Sequence, residues 1–283
     1  MNPIVLVAET GSDLTHEKAK EYGVELVPMH VAFGGETYDD GSFPVTDMFD
    51  YYKKHRKLPR TSGCTPADFE KVFDRIEREH PGAPILHLAY SACTTCSMQS
   101  ALLAAEGHGN IVSVDTKCVS AGQAAVVLRI AKLLREHPET TIEQAVAAAN
   151  EIIKRVRMGF FPGDLDYLRA GGRVSNAAYL GAKILGLNPL IEIQDGKLIS
   201  TKKYRGSMAR VVSRLVSEYP AQQALEKDEL YLVYSKGLDE AIMREAERIL
   251  RSQGYENLEW VQTGCVISAH GGPGAFGIAG FAR

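Results

Sequence analysis

Two loops and one histidine hold the residues of this sequence that can do chemistry. The first loop is Tyr90-Ser91-Ala92-Cys93-Thr94-Thr95-Cys96-Ser97, where the buried-strand run Leu86-His87-Leu88-Ala89 gives way to the helical Met98-Gln99-Ser100-Ala101. It offers hydroxyls and thiols and no charge. A strand that turns into a helix leaves the first N–H groups of that helix without partners, and with the positive end of the helix dipole these suit an anion. Capping alone accounts for any single hydroxyl here, but so many in one turn favour a ligand. The second loop is Arg60-Thr61-Ser62-Gly63-Cys64-Thr65-Pro66. Thr65 caps a helix with Pro66 at its first position and Asp68 in its first turn. Thr61 and Ser62 lie outside that cap, and a ligand role and an ordinary Ser/Thr turn weigh equally for them. His270 stands in Ala269-His270-Gly271-Gly272-Pro273-Gly274, a glycine-rich loop between apolar strands where backbone can approach a partner closely. Structural and functional roles are evenly matched for it. Cys93-x-x-Cys96 is a weak redox motif, since no basic residue beside it lowers a thiol pKa. Four zinc ligands at a known spacing are absent.

The elements that must position these residues alternate. Ile4-Val5-Leu6-Val7-Ala8 is a continuous apolar run of the kind found in a central parallel strand, followed by the turn Glu9-Thr10-Gly11-Ser12-Asp13. A short helix capped by Thr15 leads to a strand over 24–32. This β-α-β opening predicts a right-handed crossover and helices on both faces of a sheet. A polar Gly/Asp loop over 34–43 and a helix over 46–54 follow, then strands over 85–89 and 111–115. Helices are expected from Gln123 to about Leu134 and over 141–158, the second with Ile142, Ala145, Val146, Ala149, Ile152, Ile153 and Val156 on one face. The order describes a doubly wound sheet, whose ligands sit outside the carboxyl ends of the strands. The turns at 9–13, 91–95 and 115–120 share that edge. No G-x-G-x-x-G or Walker loop occurs, which disfavours a nucleotide.

Beyond Met158 the pattern changes. A short helix from Asp164 is stopped by Gly171-Gly172, a small-residue apolar helix covers 177–185, and the run 190–199 alternates around Asp195-Gly196 as a hairpin does. Helices over 207–218 and 238–253, a strand over 230–234 and a strand-like stretch over 258–269 complete the chain. The expected fold is α/β: a doubly wound, mostly parallel N-terminal domain over 1–158 and an α+β domain over 159–283.

Composition sets the outer bounds. With 283 residues, 45% hydrophobic and 24% charged, the chain is an ordinary globular one, and a net charge of −3 gives no reason to expect nucleic acid. No run reaches membrane-span length. Five cysteines and no signal-peptide layout favour a reducing cytoplasm.

Together these stretches resemble the DegV family, the bacterial fatty-acid-binding proteins that serve as acyl-carrying subunits of fatty acid kinase, and the match covers nearly the whole chain. The family's Tyr-Leu-x-x-Gly-Gly-Arg signature stands intact as Tyr167-Leu168-Arg169-Ala170-Gly171-Gly172-Arg173, and its His-x-Gly-Pro-Gly end as His270-Gly271-Gly272-Pro273-Gly274. Its Thr-Ser loop is similar to 61–66. Its Val-Asp-Ser-Lys and Ser-x-Gly-Gln segments are similar to Val114-Asp115-Thr116-Lys117 and Ser120-Ala121-Gly122-Gln123. The Ser-Gly-Thr helix start departs to Thr95-Cys96-Ser97, the early Asp-Ser-Thr-x-Asp turn to 9–13, and Leu-Lys-Pro to Leu187-Asn188-Pro189.

The resemblance implies an apolar tunnel between the domains for an acyl chain, with the carboxylate held by Thr61, Ser62, Thr95 and the helix start at Cys96, and His270 nearby. It implies a cytoplasmic fatty acid kinase as partner, with Arg173, Lys203 and Arg205 as candidate contacts for the kinase or for developing phosphate charge. It also implies no resident cofactor, and at most transient membrane contact. The runs 177–187 and 190–193 are candidate tunnel walls or plain core. Two other readings stay open: an enzyme acting on a small carboxylate or phosphate with His270 as acid/base, and a lipid-sensing regulator.

Overall fold

A computed structural model describes residues 3–173 and 185–283. Strands β1 (Val5–Glu9), β2 (Val24–Val27), β6 (Ile85–Ala89) and β7 (Ile111–Asp115) form a parallel sheet in the order β2-β1-β6-β7. Leu6 lies opposite Val24, and Val5 opposite Ile85. All five residues of β6 are buried, including His87, whose ring meets Ser113 and Glu9 among the apolar neighbours. From β1 the chain moves outward to β2 on one side, while β6 and β7 lie on the other. The crevice between the carboxyl ends of β1 and β6 is therefore the topological switch point of the sheet.

A second sheet has six strands in the order β10-β9-β8-β13-β11-β12. These are β8 (Val156–Phe161), β9 (Leu187–Gln194), β10 (Lys197–Arg205), β11 (Leu225–Tyr234), β12 (Leu258–Gln262) and β13 (Phe276–Ala282), antiparallel except where β11 meets β12. Along β13 the period of two assigns the layers. Phe276 and Ile278 join the core under α8 (Met208–Gln222) and α9 (Glu240–Ser252), while Ala279 and Phe281 join the core shared with α5 (Ser120–Glu136) and α6 (Ile142–Arg155). The second sheet is thus sandwiched between helices of both halves of the chain.

The expected α/β architecture is present: a parallel sheet followed by a second sheet with its own helices. Four local expectations are corrected. The stretch 24–32 is two strands, β2 and then β3 (His30–Phe33), which leaves the parallel sheet. The polar loop over 34–43 contains β4 (Glu36–Asp39), and Arg60–Ser62 is β5; with β3 they make a small antiparallel sheet, β4-β3-β5. The helix expected to run to Met158 ends at Arg155, where β-branched Val156 starts β8. The strand-like stretch over 258–269 is β12 followed by a helix, α10 (Cys265–Gly271), so His270 lies in a helical last turn rather than in a loop between strands. Between them run α1 (His16–Tyr22), α2 (Val45–His55), α3 (Pro66–Glu79), α4 (Ser97–Ala104) and α7 (Leu165–Ala170). The helix expected over 177–185 falls outside the described residues except for Leu185, which is exposed.

Candidate functional site

The two sheets and α10 surround a cavity of about 870 Å³, part of it open to solvent. Most of its wall is apolar: Met29 from the N-terminal half, Met158 and Phe160 from β8, Leu198 from β10, Val233 from β11 and Ile267 from α10. Leu198 sits opposite Ile193 in the β9–β10 hairpin. The candidate wall at 190–193 does not line the cavity; Leu190 and Ile191 are core residues.

The polar part of the wall gathers residues from four separate stretches of the chain. Thr61 comes from β5, Thr95 from the turn before α4, His270 from α10 and Arg173 from just past α7, and Ser62 joins them. His270 Nε2 lies 2.8 Å from Thr61 Oγ1. Its other ring nitrogen, Nδ1, is buried and has no partner among the described residues. A bare Nδ1 lone pair costs less there than an unsatisfied N–H, so the hydrogen-bond network assigns the proton to Nε2. His270 then donates to Thr61 Oγ1, and the Thr61 hydroxyl hydrogen is free to point into the cavity. Burial, helped by the Arg173 charge, pulls the imidazole down to about 4, so it is neutral at pH 7.

Thr95 is set up in a comparable way. Ser97 N–H donates to Thr95 Oγ1 at 3.3 Å, and Ser97 Oγ lies 3.1 Å from it. Ser97 Oγ accepts from Cys64 N–H at 3.1 Å, which ties the second loop to the start of α4. With Ser97 donating, Thr95 also keeps a hydroxyl hydrogen for a ligand. Two glycines make these approaches possible. A Cβ on Gly63 would lie 2.3 Å from Thr95 Oγ1, and one on Gly171 would lie 2.0 Å from His270 Nδ1. The first glycine of the 167–173 signature's pair, Gly171, therefore seats the histidine ring.

Arg173 lines the same end of the cavity and is held by backbone carbonyls. It donates to Thr94 O at 2.6 Å and also to Gly171 O. The other sequence-derived positions lie elsewhere. Cys96 is exposed, gives α4 no side-chain cap, and borders a surface recess rather than the cavity. Lys203 and Arg205 are exposed on β10, the edge strand, and Arg205 faces a separate recess with Arg210 and Arg214. Tyr90, Ser120 and Thr263 also line the cavity; sequence reading did not single them out for a ligand.

A family model described as "Uncharacterised protein, DegV family" matches residues 3–283. The chain belongs to the DegV family. A DegV domain-containing protein of Deinococcus radiodurans is 28% identical over 284 residues, covering 98% of this chain and 97% of that one. One from Caldanaerobacter subterraneus is also 28% identical, with 98% of each chain covered. Among solved structures, "Fatty Acid Binding of a DegV family Protein from Thermus thermophilus" superposes with a TM-score of 0.88 at 26% identity, covering 99% of this DegV chain and all of that one. A fatty acid (stearic acid)-binding protein from Eubacterium ventriosum superposes with a TM-score of 0.83 at 25% identity, covering 100% and 98%.

Proposed function

We propose that this DegV protein binds a long-chain fatty acid in the cavity and presents its carboxylate to a separate ATP-dependent fatty acid kinase. One observation carries the reading: an apolar cavity ends at two threonine hydroxyls whose hydrogens are free to donate, beside a histidine kept neutral. The fatty-acid binding described for the Thermus and Eubacterium ventriosum proteins supports it.

The tail supplies most of the affinity. At roughly 0.8 kcal/mol per buried CH₂, about fourteen methylenes contribute on the order of 11 kcal/mol before the costs of association. Hydroxyl donors hold the head without a tight ion pair, so it stays releasable. In the kinase step a carboxylate oxygen attacks the γ-phosphorus of ATP, an acyl phosphate forms and ADP leaves. The chain itself needs no cofactor in this scheme. Arg173, Lys203 and Arg205 are the contacts we assign to the kinase, with the encounter in the cytoplasm and any membrane contact transient. We also take the two sheets as two domains divided near Met158. A neutral His270 with Nδ1 sealed off is a poor general acid at pH 7, which weighs against the enzyme alternative.

Mass spectrometry of lipid extracted from the purified protein tests the reading. A long-chain acid at near-equal stoichiometry is expected. A polar metabolite, or an empty protein that takes up no added palmitate, overturns it.

A further inference from the structure

Helix α10 is seven residues, about 10 Å of rise, and a single small sheet reaches both of its ends. At its carboxyl end His270 meets Thr61 on β5. At its amino end the N-cap is Gly264, which has no side chain to offer. Two carboxylates from the N-terminal half take that role. Asp13 Oδ1 accepts from Gly264 N–H at 2.7 Å, and Asp40 Oδ1 accepts from Cys265 N–H at 2.8 Å and Val266 N–H at 3.2 Å. Asp40 directly follows β4, which pairs with β3, which pairs with β5 at Val31 opposite Thr61. The sheet that presents Thr61 therefore also grips the far end of the helix that presents His270.

We propose that Asp13 and Asp40 are positioning residues of the carboxylate site: by capping α10 from the other half of the chain they fix His270 against Thr61. The inference rests on the fatty-acid reading above. Three features separate it from routine helix capping. First, both acids are buried, at 6% and 4% exposure, and placing two buried carboxyl groups at one helix end is a costly choice if stability alone were served. Second, Asp13 and Ser120 are bonded to each other through side chains at 2.5 Å, and both hold left-handed backbone, φ 60° and 51°. Such strain in non-glycine residues collects at functional sites, and Ser120 lines the cavity. Third, His270 lies in the last turn of α10 and lines the cavity, so a shift of the helix displaces its ring from Thr61.

The test uses the full chain, stripped of lipid, with palmitate and with hexadecanol, which has the same tail and no carboxylate. Asp40→Ala is expected to weaken palmitate roughly tenfold, the size of one lost hydrogen bond to a charged group. Hexadecanol should change by less than about twofold on the same grounds. Asp40→Asn keeps the carbonyl oxygen for both N–H groups and should stay within about threefold of the parent for palmitate. The His270 imidazole, followed by NMR, should titrate in Asp40→Ala above its parental value of about 4, as water gains access to the ring. If Asp40→Ala does not fold, Asp13→Ala is judged by the same measurements. Equal losses for both ligands, or unchanged palmitate affinity with an unmoved His270 titration, overturn the proposal. A parent protein that takes up no palmitate would instead sink the fatty-acid reading, and the NMR titration would still decide the positioning role.

Discussion

At the scale of single residues the proposed site depends on direction of donation. His270 spends its one proton on Thr61, and Ser97 can spend its own on Thr95, so both threonines are left with a hydrogen to give. Thr61→Val keeps the shape and removes that hydrogen. A hydrogen bond to a charged group is worth about 1.5–3 kcal/mol, so calorimetric titration with palmitate should show an affinity roughly ten- to a hundredfold lower. An affinity within error of the parent would take Thr61 out of the site. The histidine makes a separate prediction about stability. Its folded value of about 4 lies below the ordinary 6.5, so between those limits the unfolded chain binds a proton that the folded chain does not. Its contribution is complete above pH 6.5 and is lost as pH falls towards 4. Compared with His270→Gln, which cannot titrate, the parent should lose about 3 kcal/mol of unfolding free energy across that window. Urea melts at pH 7, 5.5 and 4 measure it, and parallel curves for the two proteins would refute the assignment.

At the scale of elements, the sequence declares what is local and hides what is paired at a distance. The parallel core was legible because Ile4-Val5-Leu6-Val7-Ala8 is a continuous apolar run and Ile85-Leu86-His87-Leu88-Ala89 is one broken by a single histidine, the pattern of strands covered on both faces. Helix starts were legible through their caps, as the reciprocal Thr65–Asp68 bonds show. The sheet β4-β3-β5 was not, because its strands are three or four residues long and half-exposed, too short for an alternation to register. Helix α10 was hidden for a related reason. Val261, Val266 and Ile267 suggest a strand, and the turn at Thr263-Gly264 that breaks them lacks a side-chain cap of its own. The capping carboxylates sit more than two hundred residues earlier, beyond any local pattern. Thr61, Thr95 and His270 were found as individuals, through motifs. Their shared cavity depends on exactly these missed elements, since β5 carries one of them and α10 another.

At the scale of the molecule the cavity lies where the two halves of the chain meet, so an occupant is part of the structure that joins them. Direct links across that junction are present: Arg129 to Glu226 at 3.0 Å and to Glu229 at 3.3 Å, Arg155 to Glu226, and Ser91 Oγ to Gly196 O at 2.7 Å. The ion pairs are partly exposed and add little each. A buried acyl chain would touch Met29 from one half and Met158, Phe160, Leu198 and Val233 from the other, adding contacts on their cavity side to those they already make. Binding to the folded state alone stabilises it by about 2.7 kcal/mol when free ligand is a hundred times its dissociation constant. For a chain of this size that corresponds to roughly 5–10 °C in melting temperature. Stripping the purified protein of lipid should therefore lower its calorimetric melting temperature, and added palmitate should restore it with the logarithmic concentration dependence of linkage. Hexadecane-1-sulfonate, with the same tail and a bulkier charged head, should restore less if Thr61 and Thr95 hold a planar carboxylate as proposed. A melting temperature indifferent to lipid removal would mean that the junction is held by protein contacts alone, and that the cavity is not where the chain keeps its ligand.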